Sequence, residues 1–231
     1  MTIWRVEKAF EPQGVNVPMA TISRDWHGAT CGPPAEWALV ADPDCLWLLA
    51  RHAAPAQPHP DGRPGEFLEG LWQHDVAELF IAAADHMTYL EFNLSPLGAW
   101  WFAGFAAPRQ RAAGLPQPQV RTEAFAHADG GWASAIGIPL DFLKQHVGWG
   151  PDSTLNVTFI LNSPDQQFLT VTDLGEGGPD FHRPGRFSAI EWEDLPNALR
   201  AEEMNQPQMN TDNEEVSNDE PGESSYSISN L

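Results

Sequence analysis

Acidic and amide side chains alternate with apolar ones along residues 71–109, in two segments that have the pattern of β-strands. In the second segment, YLEFNL, successive side chains point to opposite faces, so Tyr89, Glu91 and Asn93 share one face. A ring can stack on the apolar side of a sugar, while a carboxylate and an amide form directed hydrogen bonds with hydroxyl groups. This face therefore suits a polyhydroxylated ligand, although a solvated outer sheet face gives the same pattern.

Trp72 and Glu78 belong to the preceding segment, LWQHDVAELFI. Trp72 precedes the strand, where it can stack on a sugar or pack in the protein interior. Glu78 stands on a strand that is apolar on both faces, so its charge needs a partner or a hydrogen-bond network. Arg109 and Arg111 are the predicted counter-ions, and a structural ion pair and a ligand site both remain open.

Other chemistries are less well supported by the sequence. Glu78 and Glu91 are also compatible with a glycosidase pair, but the mechanism depends on a carboxylate separation that sequence does not give. The chain contains no serine elbow, no phosphate loop and no HExxH helix. Asp75 is predicted to cap the turn that follows Trp72.

Metal and haem sites are the remaining alternatives. The eight histidines form no tight pair in the sequence, and His86 and Met87, being adjacent, would face opposite sides of a strand. Asp42 and Asp44 flank a proline, which is typical of a hairpin turn and also compatible with a calcium ion. We therefore expect no cofactor, with calcium kept as the alternative.

Composition restricts the partners and the cellular setting. The chain has 231 residues, 42% of them hydrophobic, and a formal charge of -20 from 32 acids and 12 bases. This charge disfavours nucleic acid and anionic membrane as partners. No export signal or membrane-spanning run is visible, so we expect a cytoplasmic protein in which Cys31 and Cys45 stay unpaired.

The elements that must position these residues are short strands separated by glycine and proline, a pattern that favours an all-β sandwich. A helix with one apolar face is predicted over 139–146, at one end of the sandwich, and residues 53–70 read as a long loop. The predicted strands are 2–6, 19–24, 37–41, 45–52, 75–82, 88–94, 100–105, 119–126, 131–138, 155–162, 168–171 and 187–192.

The character of the chain changes after residue 200. Residues 202–231 contain eight acids and no lysine or arginine, with many polar residues between them. Such a composition buries too little apolar surface to offset the entropy of ordering, so disorder is expected. The predicted organisation is a folded domain over 1–200 and an acidic disordered tail over 201–231.

Five segments occur in an order that is similar to a known family: LWQHDVAELFI, YLEFNLSPLGAWW, WASAIGIPLDFL, NVTFILNS and PDFHRPGRFSAIEW. Together they resemble the carbohydrate-binding module family 9-like domains of the DOMON-like superfamily, over residues 2–193. The resemblance implies a two-sheet antiparallel β-sandwich of the jelly-roll or DOMON-like type. It also implies a site in which two tryptophan rings hold a saccharide above a polar strand face.

The resemblance assigns roles to particular residues. Trp72 matches the first tryptophan, Glu78 the acid of the following strand, and Arg109 a basic residue after the next strand. The second tryptophan is expected just before FHRP, where this chain has LTVTDLGEGGPDF. Phe181 and His182 are the available substitutes, with less ring surface than tryptophan.

The sequence therefore predicts a non-catalytic carbohydrate-binding module that recognises a small saccharide or a glycan end. The expected ligand-binding residues are Trp72, Glu78, Glu91, Asn93 and Arg109. Two alternatives stay open. One is a protein-interaction module that uses the sheet face or the acidic tail, and the other is a haem-binding domain of the DOMON type.

Overall fold

Two β-sheets form the body of the protein in the computed structural model, which describes residues 1–13, 16–126 and 130–196. The acidic tail over 201–231 lies outside these residues. The first sheet has the order β14-β1-β3-β4-β10-β9, with β2 paired to β3. Its strands are β1 (Thr2–Arg5), β2 (Ala20–Arg24), β3 (Thr30–Ala41), β4 (Cys45–His52), β9 (Arg121–Ala126), β10 (Trp132–Pro139) and β14 (Glu191–Asp194).

The second sheet carries the predicted ligand-binding residues. Its order is β12-β11-β5-β6-β7-β8, with β13 paired to β11. Its strands are β5 (Val76–Ala82), β6 (Tyr89–Leu94), β7 (Trp100–Ala107), β8 (Gln110–Arg111), β11 (Thr154–Leu161), β12 (Gln167–Thr170) and β13 (Ser188–Ala189).

The main core lies between the two sheets. Leu79 and Phe92 of the second sheet are fully buried together with Leu48 and Ile136 of the first. Helix α1 (Leu140–Val147) follows Pro139 and adds Leu143 and Val147 to this core. The predicted all-β sandwich with one short helix is confirmed, and no helix in the described ranges has the length and hydropathy to cross a bilayer.

The pairing departs from the prediction in three places. The first sheet is not wholly antiparallel, because β1 runs parallel to β3 and to β14. Strand β3 begins at Thr30 and not at residue 37, because β2 pairs with its first half. Pro33 and Pro34 lie in this half, where β3 has a partner strand on one side and a missing N–H group is tolerated. The predicted strand 187–192 is divided into β13 and β14, which join different sheets.

The outer face of the second sheet is buried, so the solvated-face interpretation of the strand pattern is wrong. Glu91 and Asn93 are only 5% and 0% exposed. A second apolar cluster covers this face and includes Leu71 before β5 and Phe181 and Phe187 from the segment after β12. Trp100 and Trp101 lie in different clusters, as the alternation of strand side chains predicts.

The carboxylate of Asp42 anchors the turn between β3 and β4. One of its oxygens accepts hydrogen bonds from the backbone N–H of Phe10 at 3.0 Å and the indole N–H of Trp47 at 2.9 Å. The other oxygen accepts from the backbone N–H groups of Asp44 at 2.8 Å and Cys45 at 2.6 Å. Asp42 thus joins the N-terminal segment to the hairpin.

Cys31 and Cys45 are both buried, and neither forms a disulfide bond.

Replacing Asp42 by Ala should lower the free energy of unfolding by about 2–4 kcal/mol, because four donors lose their acceptor in a buried place. Asp44→Ala is the matched control in the same turn, where the side chain is exposed, and should change stability by about 0.5 kcal/mol or less. Urea unfolding of both variants measures the difference, and equal losses would contradict the anchor role.

Candidate functional site

A cavity of about 460 Å³ opens on the outer face of the second sheet. Strands β5, β6 and β7 form its floor, the turn before β5 and the β7–β8 turn form one side, and residues 179–182 form the other. Its lining residues are Trp72, Glu78, Phe80, Glu91, Trp101, Phe105, Arg109, Arg111, Ile160, Phe168, Pro179, Asp180, Phe181 and His182.

Strand register brings the two acids of the floor close together. Glu78 of β5 is paired with Asn93 of β6, and Glu91 of β6 is paired with Phe80 of β5. The two glutamates are therefore diagonal neighbours on adjacent antiparallel strands, a relation within reach of long side chains. On the other side of Glu78, the hydroxyl of Thr158 donates a hydrogen bond of 2.6 Å to its carboxylate.

Burial makes both acids hold their protons more tightly than free carboxyl groups do. Desolvation raises the pKa of Glu78 to about 7, although hydrogen bonding from Thr158 favours the ionised form. Desolvation, and next the neighbouring charge of Glu78, raises the pKa of Glu91 well above its usual range. The two groups titrate as a pair, since ionising one disfavours ionising the other.

The amide of Asn93 adjoins both acids and has unused hydrogen-bonding capacity. Its proximity favours the ionised form of Glu78 and of Glu91. Within the described part of the chain, however, neither its nitrogen nor its oxygen has a hydrogen bond of good geometry. A buried amide normally finds partners, and the carboxyl groups of Glu78 and Glu91 are the neighbours with which this one can pair.

His182 forms the wall next to Glu91 and is held by Tyr89. The Tyr89 hydroxyl lies 2.8 Å from Nδ1 of His182 and accepts the backbone N–H of Arg109 at 3.1 Å. Desolvation, and then the charge of Arg109, lowers the pKa of His182 to about 4, so the ring is neutral at pH 7. If Tyr89 donates to Nδ1, the imidazole proton lies on Nε2, 3.9 Å from the Glu91 carboxylate.

Aromatic rings line two sides of the cavity. Trp72 lies in a short turn, Leu71–Gln73, and packs edge to face on Trp101 with ring centroids 4.8 Å apart. On the other side, Phe181 contacts Phe168, with centroids 6.3 Å apart, and is supported from behind by Trp26 at 6.0 Å. Phe181 and His182 thus stand beside the floor, as the resemblance suggested for a chain without the second tryptophan.

The predicted counter-ion role of the arginines is wrong. The Arg109 guanidinium forms an ion pair of 2.7 Å with Asp180, and that of Arg111 one of 3.1 Å with Glu69. Arg111 also lies over the Trp101 ring, 4.9 Å from its centroid. Both guanidinium groups are more than half exposed, so they mark the mouth of the cavity.

Four of the five predicted ligand-binding residues line this cavity. The fifth, Asn93, is fully buried next to Glu78 and Trp101 in the strand register and is not one of the lining residues. The sequence reasoning missed the pairing of Tyr89 with His182 and the contribution of Phe168 and Asp180. The FHRP motif is a signal for His182, but nothing local indicates its contact with Tyr89.

The other predicted polar residues lie elsewhere. Asp75 does not cap the turn after Trp72; it accepts the backbone N–H groups of Gln57 and Asn162 and so fastens the loop before β5. His86 and Met87 are exposed in the β5–β6 turn and do not line the cavity. No group of three or more metal-ligating side chains occurs among the residues described.

Solved structures with the same fold include carbohydrate-binding modules. A candidate carbohydrate-binding protein from Bacteroides uniformis has a TM-score of 0.61 and 16% identity, covering 84% of this chain and 98% of its own. A family 9 module from Caldicellulosiruptor kristjanssonii in complex with cellotriose has a TM-score of 0.55 and 14% identity, covering 85% and 96%. The glucose complex of a family 9 module from the same organism has a TM-score of 0.52 and 14% identity, covering 84% and 97%.

These likenesses confirm the fold that the resemblance implied, while membership of the DOMON-like superfamily stays a prediction. No protein-family model matches the sequence. No curated protein matches it either.

Glu78 should make stability depend on pH. Because its pKa is raised to about 7 from 4.5, its contribution is fully present below pH 4.5 and is lost as the pH rises through 7. His182, with its pKa lowered to about 4 from 6.5, acts in the opposite sense, since its contribution is lost as the pH falls.

The comparison of wild type with Glu78→Gln separates the two effects. The wild type's advantage in unfolding free energy should fall with rising pH between about pH 5 and pH 8, by up to about 1.4 kcal/mol per unit. Urea unfolding across this range measures it, with Asp141→Asn, an exposed carboxylate on α1, as the control that should show no such trend. A difference that is constant with pH would mean that Glu78 stays ionised in the folded protein.

Proposed function

We propose that the cavity binds a saccharide and leaves it chemically unchanged. The observation that carries this proposal is the combination of a polar floor, formed by Glu78 and Glu91, with aromatic walls on two sides. The shared fold supports it, because two of the similar structures are family 9 modules in complex with cellotriose and with glucose.

The floor offers both donors and acceptors to sugar hydroxyls. A carboxylate accepts hydrogen bonds, and a protonated carboxyl group also donates one. The pKa of Glu78, raised to about 7, places both forms of this residue within reach near neutral pH, and the raised pKa of Glu91 favours its protonated form.

The walls suit the apolar face of a sugar ring. Trp72 is half-buried and borders the cavity on the side of β7, and Phe181 borders it on the opposite side. A volume of about 460 Å³ is within the usual range for small-molecule sites, so a small saccharide or the end of a glycan is the expected ligand. The Arg109–Asp180 pair at the mouth supplies further hydrogen-bonding groups.

Calorimetric titration of the full chain with cellotriose and with glucose tests the proposal. Trp72→Ala should weaken binding roughly fivefold or more, since one stacking surface is worth on the order of 1 kcal/mol beyond the area that it buries. Trp192→Ala, which removes a ring that is 37% exposed on β14, is the matched control and should bind as the wild type does.

Thermal melts of both variants separate loss of binding from loss of folding, and Trp72→Phe provides a milder change if the alanine variant is unstable. Chromatography of the sugar after incubation checks that it is recovered intact. The proposal would be contradicted if neither cellotriose nor glucose bound at millimolar concentration, or if Trp72→Ala and the wild type bound equally well.

A further inference from the structure

The acid pair in the floor lacks a cation from the protein. Among the described side chains, the only basic group within 4.0 Å of either carboxylate is the His182 imidazole, which is 3.9 Å from Glu91. That imidazole is neutral at pH 7 because its pKa is lowered by burial and by Arg109. The negative charge that the pair can carry is therefore not compensated by a salt bridge.

The two arginines of the mouth are already engaged with other acids. Arg109 is held by Asp180, and Arg111 by Glu69 and by the Trp101 ring. They lower the pKa of Glu91 only as the minor causes, after burial and the charge of Glu78 have raised it. Neither arginine is free to enter the floor without losing a contact that it makes now.

An independent feature of the floor points to a ligand. Asn93 is 0% exposed, adjoins both carboxylates, and has no good hydrogen-bond partner for either amide atom among the residues described. Leaving a buried amide unpaired costs on the order of 1–3 kcal/mol. A ligand cation that ionises the two acids would make them stronger acceptors for the N–H groups of Asn93.

Aromatic side chains around the floor favour an organic cation over a hydrated metal ion. Phe80 and Phe181 border the cavity, and ring faces attract cations, as they do where the Arg111 guanidinium lies over the Trp72 and Trp101 rings. The charge of -20 on the whole chain raises the local concentration of cations further.

We propose that the ligand is an amino sugar whose protonated amine lies against the carboxylates of Glu78 and Glu91. This inference rests on the proposed function, because it assumes that the cavity holds a saccharide. It adds that the preferred saccharide carries a protonated amino group. The sugar face packs on Trp72 or Phe181.

Binding of such a ligand releases a proton from the site. Near pH 6 the pair retains protons that an unperturbed glutamate would have lost. An ammonium group favours the ionised form of the acid pair. Its binding is therefore accompanied by release of a proton to the buffer, and the net charge of the occupied site equals that of the empty one. A neutral sugar produces no such exchange.

The experiment is calorimetric titration of the full chain near pH 6 with glucosamine, glucose and N-acetylglucosamine, in two buffers that differ in ionisation enthalpy. The expected result is binding of glucosamine at least tenfold tighter than of the two neutral sugars. The difference in heat between the two buffers should show net proton release for glucosamine alone.

Variants test the residues that carry the preference. Glu78→Gln and Glu91→Gln should each reduce the preference for glucosamine over glucose to within about threefold and should diminish proton release. Asp141→Asn, which removes one exposed acid on α1, controls for the change in net charge and should keep both. Two independent glutamate variants keep the test valid if one of them folds poorly, which thermal melts will show.

Each remaining outcome decides between the two proposals. Equal affinity for glucose and glucosamine overturns the amino-sugar inference and leaves saccharide binding intact. Tight binding of N-acetylglucosamine also overturns it, because the substituent rather than its charge would be recognised. Binding of calcium or magnesium chloride alone, with displacement of glucosamine, assigns the floor to a metal ion. Absence of binding by all three sugars overturns the amino-sugar inference, and the titration with cellotriose then decides on saccharide binding.

Discussion

Burial of Glu78 and Glu91 beneath the segment after β12 is the constraint on which the site depends. The sheet face that holds them would be ordinary solvated surface if Phe181 and Phe187 did not pack across it. Once this face is covered, the acids lose water, their pKa values rise, and the neighbouring Asn93 amide loses its solvent partners. The packing of the segment after β12 against this sheet thus forms the cavity and also raises the pKa values of the two acids in it.

Strand alternation made part of this site predictable from the sequence. The period of two is a local property of the backbone, so it correctly placed Glu91 and Asn93 on one face and Phe92 on the other. Whether that face is wet or buried depends on residues about a hundred positions away in the chain. No local pattern contains that information, and the solvated-face interpretation was wrong for this reason.

The contacts of the two arginines were likewise not predictable from the local sequence. Arg109 follows β7 in a tight turn where its φ is +60°, and this backbone conformation turns the side chain toward Asp180 at the mouth. The general need of a buried acid for a cation suggested a pairing with Glu78 instead. The family resemblance named Phe181 and His182 as substitutes for a second tryptophan. Both line the cavity, and their role toward a ligand stays a prediction.

The unpaired polar groups of the floor also connect stability with binding. A buried acid pair without a counter-ion disfavours the folded state at the pH where it ionises, and proteins commonly tolerate such strain where function requires it. A ligand that favours the ionised pair removes part of this penalty, so its binding and the ionisation of Glu78 and Glu91 assist each other by the same free energy. Replacing either acid by an apolar residue would then favour folding at neutral pH, but it would remove a group that recognises the ligand. Stability of the sandwich and selectivity of the site therefore favour different residues at these two positions.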